Sequence, residues 1–173
     1  MRALTLTQPW AGLVASGIKL IENRPRHIVK REDFGKPFAI HASRLIDEAT
    51  YHRIGELAPE LGQSARNIDG ALDFFYTDTS DWYRLSRVTS AIIGVATIEQ
   101  VFDPNAHGIG TAEPAATAPM PADQRRWFFG KIGYLLRDVR ALASPIRCRG
   151  WQGFWTLAPH LETLVIDQLE GVV

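Results

Sequence analysis

The stretch that decides the fold is Leu4-Thr5-Leu6-Thr7-Gln8-Pro9-Trp10-Ala11-Gly12-Leu13-Val14-Ala15-Ser16-Gly17-Ile18-Lys19-Leu20-Ile21-Glu22-Asn23-Arg24. Its first residues alternate apolar and polar, so Ala3 to Thr7 reads as a strand. Pro9 suits the first position of a helix, where its missing N–H costs nothing. Trp10, Leu13, Val14 and Gly17 then share one helical face, and Gly17 is a natural stop. Leu20 to Arg24 reads as a second strand with Leu20, Glu22 and Arg24 on one side; Lys19 joins them if it sits in the turn before. Three charged side chains therefore follow a short helix within six residues, and that cluster is the best sign of a ligand pocket.

Outward from this stretch, Pro37 to Ala42 is predicted as a strand entered from the Phe34-Gly35-Lys36 turn, and Leu45 to Leu61 as a helix. Residues 62–88 form an aromatic, polar insert. Its rings, Phe74 to Tyr83, either cap a cleft, pack over the core, or contact a protein partner; packing is the favoured role. Ala91 to Phe102 is a strong strand, and 103–124, rich in Pro, Ala, Gly and Thr, is a long loop. Trp127 to Leu142 returns to strand character, Pro145 to Gly150 reads as a turn, and Gln152 to Leu157 as a last strand. Pro159 opens a closing helix with Leu161, Leu164, Val165 and Leu169 in register. Short strands broken by single helices fit an α+β fold with a small barrel better than a βαβ array, and 173 residues suit one domain spanning 1–173.

Composition narrows the class. Apolar residues make up 46 %, as a folded globular chain requires. No apolar run reaches the ~20 residues of a membrane span, and Arg2 followed by an alternating strand does not read as a signal peptide. Cys148 is the single cysteine, so no internal disulfide forms and a cytoplasmic location is expected. The formal net charge is zero, which argues against a wholly basic binding surface. The charge is nonetheless segregated: residues 19–31 carry five cations and one anion, and 125–149 carry seven and one. The histidines show no metal-ligand spacing, no phosphate loop or dinucleotide fingerprint occurs, and no metal or cofactor is expected.

Four features together resemble the ASCH family (activating signal cointegrator homology) of the PUA-like superfamily. They are Gln8-Pro9-Trp10; the G-x-K-x-x-E-x-R series Gly17, Lys19, Glu22, Arg24; the strand Ile92-Ile93-Gly94-Val95-Ala96; and Pro145-Ile146 through Gly150 with Phe154-Trp155 and Leu157. They span roughly residues 3 to 158. The resemblance implies a small closed PUA-like β-barrel with flanking helices and a cleft beside the first helix. It also implies RNA or another nucleic acid as partner, with hydrolase activity in some members. In the branch that deacylates modified cytidine, the lysine works with a threonine three residues later; here that position is Glu22, which counts against that activity.

The expected function is thus a nucleic-acid-binding module, RNA foremost, that holds a base or nucleotide in the cleft. The alternative is a small hydrolase of RNA or a modified nucleoside, with Lys19 and Glu22 as its acid–base pair. Lys19 and Arg24 would hold phosphate or a base oxygen, and Glu22 would accept from a base amino group. Their bland role is mutual pairing. Trp10 either stacks on a base or lies in the core. Gln8, His41 and Ser43 complete the candidate set, although a barrel histidine and a turn serine are the usual roles of the last two. The helix entry at Gln8-Pro9-Trp10 is a possible anion site, and Arg147 and Arg149 could add phosphate contacts unless they are simply solvated.

Overall fold

The computed structural model describes residues 1–61, 65–68, 71–74, 80–103 and 119–171. Its centre is a six-stranded mixed sheet ordered β2-β7-β6-β3-β1-β8. The strands are β1 (Arg2–Gln8), β2 (Ile21–Arg24), β3 (Pro37–Ile46), β6 (Ala91–Phe102), β7 (Ile132–Arg147) and β8 (Phe154–Thr156). A separate ribbon joins β4 (Ala65–Ile68) to β5 (Ala71–Phe74). Helices α1 (Trp10–Ala15), α2 (Glu48–Leu57), α3 (Asp81–Ser86) and α4 (Pro159–Glu170) flank the sheet. The fold is α+β, as its sequence pattern predicts. The barrel does not close: no pairing joins the edge strands β2 and β8 among the described residues.

Period-two patterning builds both faces of the sheet. Leu4 and Leu6 of β1, Phe38 and Ile40 of β3, and Ile93 of β6 enter one core cluster. Their neighbours Ala3, Ala39 and Ile92 enter the cluster on the other face. β1 and β3 run parallel, with Leu4 opposite Ile40 and Thr5 opposite His41. That arrangement needs a crossover, and α1 lies within it. A second face of α1 meets a third cluster, in which Leu13 packs with Ile54, Trp82 and Trp127. α4 covers the face opposite α1 through Leu161, Val165 and Leu169, and Gln168 exchanges hydrogen bonds with the Ser144 backbone. Leu164 drops out of the expected stripe and is exposed.

Element boundaries shift where packing overrides pattern. β3 runs on to Ile46, so α2 begins at Glu48 rather than Leu45 and ends at Leu57. Residues Ala122–Trp127 coil into a 3-10 helix that buries Trp127, and the strand expected from Trp127 starts at Ile132. The strand also absorbs part of the expected 145–150 turn, since β7 continues to Arg147. Of the aromatic insert, Trp82 is buried and Tyr83 stacks edge-on against Tyr51 at 5.9 Å. Phe75 and Tyr76 lie outside the described residues, as does most of the 103–124 loop. No helix among the described residues is long and apolar enough to cross a membrane.

Gly12 is where α1 touches α3. A Cβ there would stand 2.5 Å from the Ser86 backbone nitrogen and 2.6 Å from its Cα. Backbone cannot yield as a flexible side chain does, so Gly12→Ala is expected to cost about 1–3 kcal/mol. Urea unfolding of the variant checks this.

Candidate functional site

The turn after α1 sets the site. Gly17 has φ +76°, which lets the chain reverse so that the amides of Ile18 and Lys19 both donate to the Leu13 carbonyl at 3.1 Å. This swings Lys19 beneath the helix, and β2 then presents Glu22 and Arg24 beside it. The three line a cavity of about 220 Å³ with Trp10, Phe129 and Thr5. Leu20, expected to share their face, packs instead into the α1–α2 cluster.

The cluster is a chain of charge with the carboxylate in the middle. Lys19 is 1 % exposed and Glu22 6 %. Lys19 Nζ donates to the Ile21 carbonyl and to Glu22 Oε2 at 3.5 Å. Arg24 Nε lies 2.9 Å from Glu22 Oε1, an ion pair whose N–H is poorly aligned with that oxygen, while Nη2 donates to the Thr5 carbonyl at 3.1 Å. Arg24 keeps 20 % of its side chain exposed. Burial drives the Lys19 pKa below its usual value; the Glu22 carboxylate opposes that shift and the Arg24 charge adds to it.

Spare bonding capacity remains. Two of the three ammonium donors of Lys19 are used, and its nitrogen lies 5.6 Å from the Trp10 ring centroid. Each Glu22 oxygen has one cation partner and a further lone pair. Trp10 is half-buried between Trp127 and Phe129, with ring centroids 6.4 and 5.4 Å away, and Phe129 is exposed. Phe129 carries no distinctive signal in the sequence; it reads there as one more strand residue.

The remaining predicted residues go elsewhere. Gln8 is fully buried, and its amide serves structure: Nε2 donates to the carbonyls of Leu85 and Val88, and Oε1 accepts from the Gly12 amide at 3.0 Å. That last bond occupies one of the free amides at the entry of α1, that of Gly12. His41 and Ser43 line a different cavity of about 770 Å³, which shares Thr5 with the first. Ser43 Oγ accepts from the Leu45 amide at 3.1 Å, a turn role. His41 Nε2 donates to the Cys148 carbonyl at 3.2 Å, and burial lowers its pKa while that hydrogen bond opposes the shift. A third opening of about 480 Å³ near α3 contains Asp81 and Arg84, which are paired with each other. No group of three or more metal-ligating side chains occurs among the described residues.

No family model and no curated protein matches the sequence. Among solved structures, the fold is similar to the ASCH protein from Zymomonas mobilis. That protein is 17 % identical, with 95 % of this chain and 93 % of that chain covered and a TM-score of 0.48. A single-substitution variant of the same protein aligns at 18 % identity and a TM-score of 0.47, covering 95 % and 94 %.

Two predictions follow from the charges. Glu22→Gln strands Lys19 in the interior without its counter-charge, which is expected to cost about 3–5 kcal/mol. Lys19→Met leaves Glu22 its Arg24 partner and should cost clearly less; chemical denaturation of the two variants ranks them. For His41, the folded pKa lies below the ordinary 6.5, so the unfolded chain takes up its proton first on acidification. Stability should therefore fall as pH drops through 6.5 toward the folded pKa, and His41→Gln should flatten that part of a stability-against-pH curve.

Proposed function

We propose that the chain is a nucleic-acid-binding module, with RNA as its partner, that takes one base into the cavity beside α1. The observation that carries this reading is the buried Lys19–Glu22 pair lining an open cavity beneath Trp10 and Phe129. A donor next to an acceptor suits the edge of a base, which sets amino groups beside ring nitrogens and carbonyls. The cavity is smaller than the roughly 300–1,000 Å³ typical of pockets for drug-sized ligands, so its occupant is one small ring system. Trp10 and Phe129 supply an aromatic wall for stacking. Arg24 lines the same cavity, is 20 % exposed, and has guanidinium donors beyond the one given to Thr5 for a phosphate or base oxygen. The sequence resemblance at Gly17, Lys19, Glu22 and Arg24 agrees with this assignment.

A second reading, hydrolysis of RNA or a modified nucleoside, draws on one observation. Burial lowers the Lys19 pKa with a carboxylate 3.5 Å away, the situation of a lysine that carries protons. Acyl release from an N-acylated cytidine, or RNA cleavage in buffer containing EDTA, lost in Lys19→Met, would favour it.

Glu22 reading an amino edge has a direct consequence. Cytidine should bind at least tenfold more tightly than uridine, which lacks the amino group, in keeping with about 1–3 kcal/mol per good base contact. Arg24→Lys, which keeps a cation beside Glu22 but loses the planar fork, should weaken cytidine without lowering the unfolding temperature by more than a few degrees. Calorimetric titration of both nucleosides measures this. Equal affinity for the two, or no binding of either, defeats the reading.

A further inference from the structure

We infer that the second cavity, at the far side of Thr5, is a phosphodiester subsite for the strand whose base enters the first. The inference rests on the base-binding reading for its direction along the strand, and on its own observations for the anion.

Three arginines, Arg44, Arg147 and Arg149, line this cavity, and no carboxylate does. None of the three forms an ion pair among the described residues. Their positions are fixed by backbone. Extended chain places residues 147 and 149 on one side, two apart. The segment carrying them is tied down at three points. Cys148 N donates to the Ser90 carbonyl at 3.1 Å, the Cys148 carbonyl accepts from His41, and Gly150 lies close against the imidazole. A Cβ on Gly150 would sit 2.2 Å from His41 Cε1, so only glycine allows that approach. Ser90, with φ +51°, in turn donates its amide to the Ser43 carbonyl at 3.3 Å and joins this segment to the end of β3, next to Arg44.

All three arginines are exposed, and two of the guanidinium groups are oriented by contacts. Arg147 Nη1 donates to the Thr89 carbonyl at 2.6 Å, and Arg149 stacks 4.6 Å from the ring centroid of Trp151, itself 55 % exposed. Each retains donors in the planar fork that matches phosphate. Cations alternating with an open aromatic ring are the arrangement by which single strands are held, charge on the backbone and ring on the base. An acidic peptide would use the arginines but has no need of the ring. At about 770 Å³ the cavity exceeds what one phosphate ion fills.

The two cavities have one lining residue in common, Thr5. Its carbonyl accepts from Arg24 and its hydroxyl from Trp155 Nε1 at 3.1 Å. A base held by Lys19 and Glu22 thus leaves its backbone to pass over Thr5 toward the arginines.

The test compares the wild type with the Arg44→Ala, Arg147→Ala, Arg149→Ala triple variant, using cytidine and a fluorescein-labelled hexacytidylate RNA, with inorganic phosphate and polyglutamate as competitors. All three substitutions are at exposed positions, and an unchanged unfolding temperature confirms the fold. The triple variant should bind cytidine like the wild type and the hexamer at least tenfold more weakly in low salt. Its slope of log affinity against log salt should be shallower by about 2, at roughly 0.7 per lost phosphate contact. An unchanged hexamer affinity and salt slope overturn the inference while leaving the base pocket intact. Arginine-dependent hexamer binding with no cytidine binding by either protein supports the phosphodiester subsite and removes the base pocket. Displacement of the hexamer by polyglutamate or inorganic phosphate at equal anion concentration overturns the assignment to a nucleic-acid strand.

Discussion

The carboxylate of Glu22 is the constraint around which this end of the molecule is organised. A buried carboxylate must be paired, or it gives up its charge. Here one oxygen faces Lys19, delivered by the turn at the end of α1, and the other faces Arg24, two residues along β2. Arg24 reaches on to the Thr5 carbonyl and so ties the edge strand to β1 across the mouth of the cavity. Helix end, edge strand and central strand are thereby held in one geometry by a single charged chain. β2 is laddered to β7 on one side, and because no pairing joins β2 to β8 among the described residues, the direct link from β2 to β1 runs through these side chains.

The same arrangement bears on recognition. Groups already desolvated and oriented before a ligand arrives need little ordering when it binds, which is the gain from preorganisation. Lys19 and Glu22 are ordered in this way, and Arg24, held by Glu22 and by the Thr5 carbonyl, is the most exposed of the three. Specific hydrogen bonding is thus concentrated at the buried end, and adaptable charge at the rim. That division suits a ligand with a defined head and a repetitive, flexible backbone.

Much of this was legible in the sequence, and the exceptions have physical causes. β1, α1 and β2 announce themselves because alternation, Pro9 and Gly17 agree with one another, and agreement between levels is what a pattern can report. The placement of Lys19 in a turn beside Glu22 and Arg24 follows from the same residues. The failures are tertiary. Gln8 looks like a pocket residue from its spacing, yet the carbonyls it binds belong to Leu85 and Val88, far away in sequence. Trp127 begins an apolar run that reads as strand, but its burial among Leu13, Ile54 and Trp82 is worth more than extending β7. Barrel closure depends on whether two edge strands meet, and no local pattern encodes that. His41 and Ser43 line the second cavity instead of the first, and the register that sets His41 opposite Thr5 is a tertiary fact.

Zero net charge is compatible with a polyanionic ligand, because the charges are unevenly spent. Arg84, Arg87, Arg126 and Arg137 are each paired with a nearby acid on the surface. Such pairs contribute little to stability, but they silence their cations at long range. Around the second cavity the rim bears arginine without carboxylate, so the local field there is positive whatever the total. Screening confines that field to about 10 Å at 0.1 M salt. The acidic segment 47–60 begins three residues after Arg44, but its Glu48 and Glu60 are themselves paired, with Arg87 and Arg126. What a polyanion meets is set by which cations lack partners, and composition alone does not contain that information.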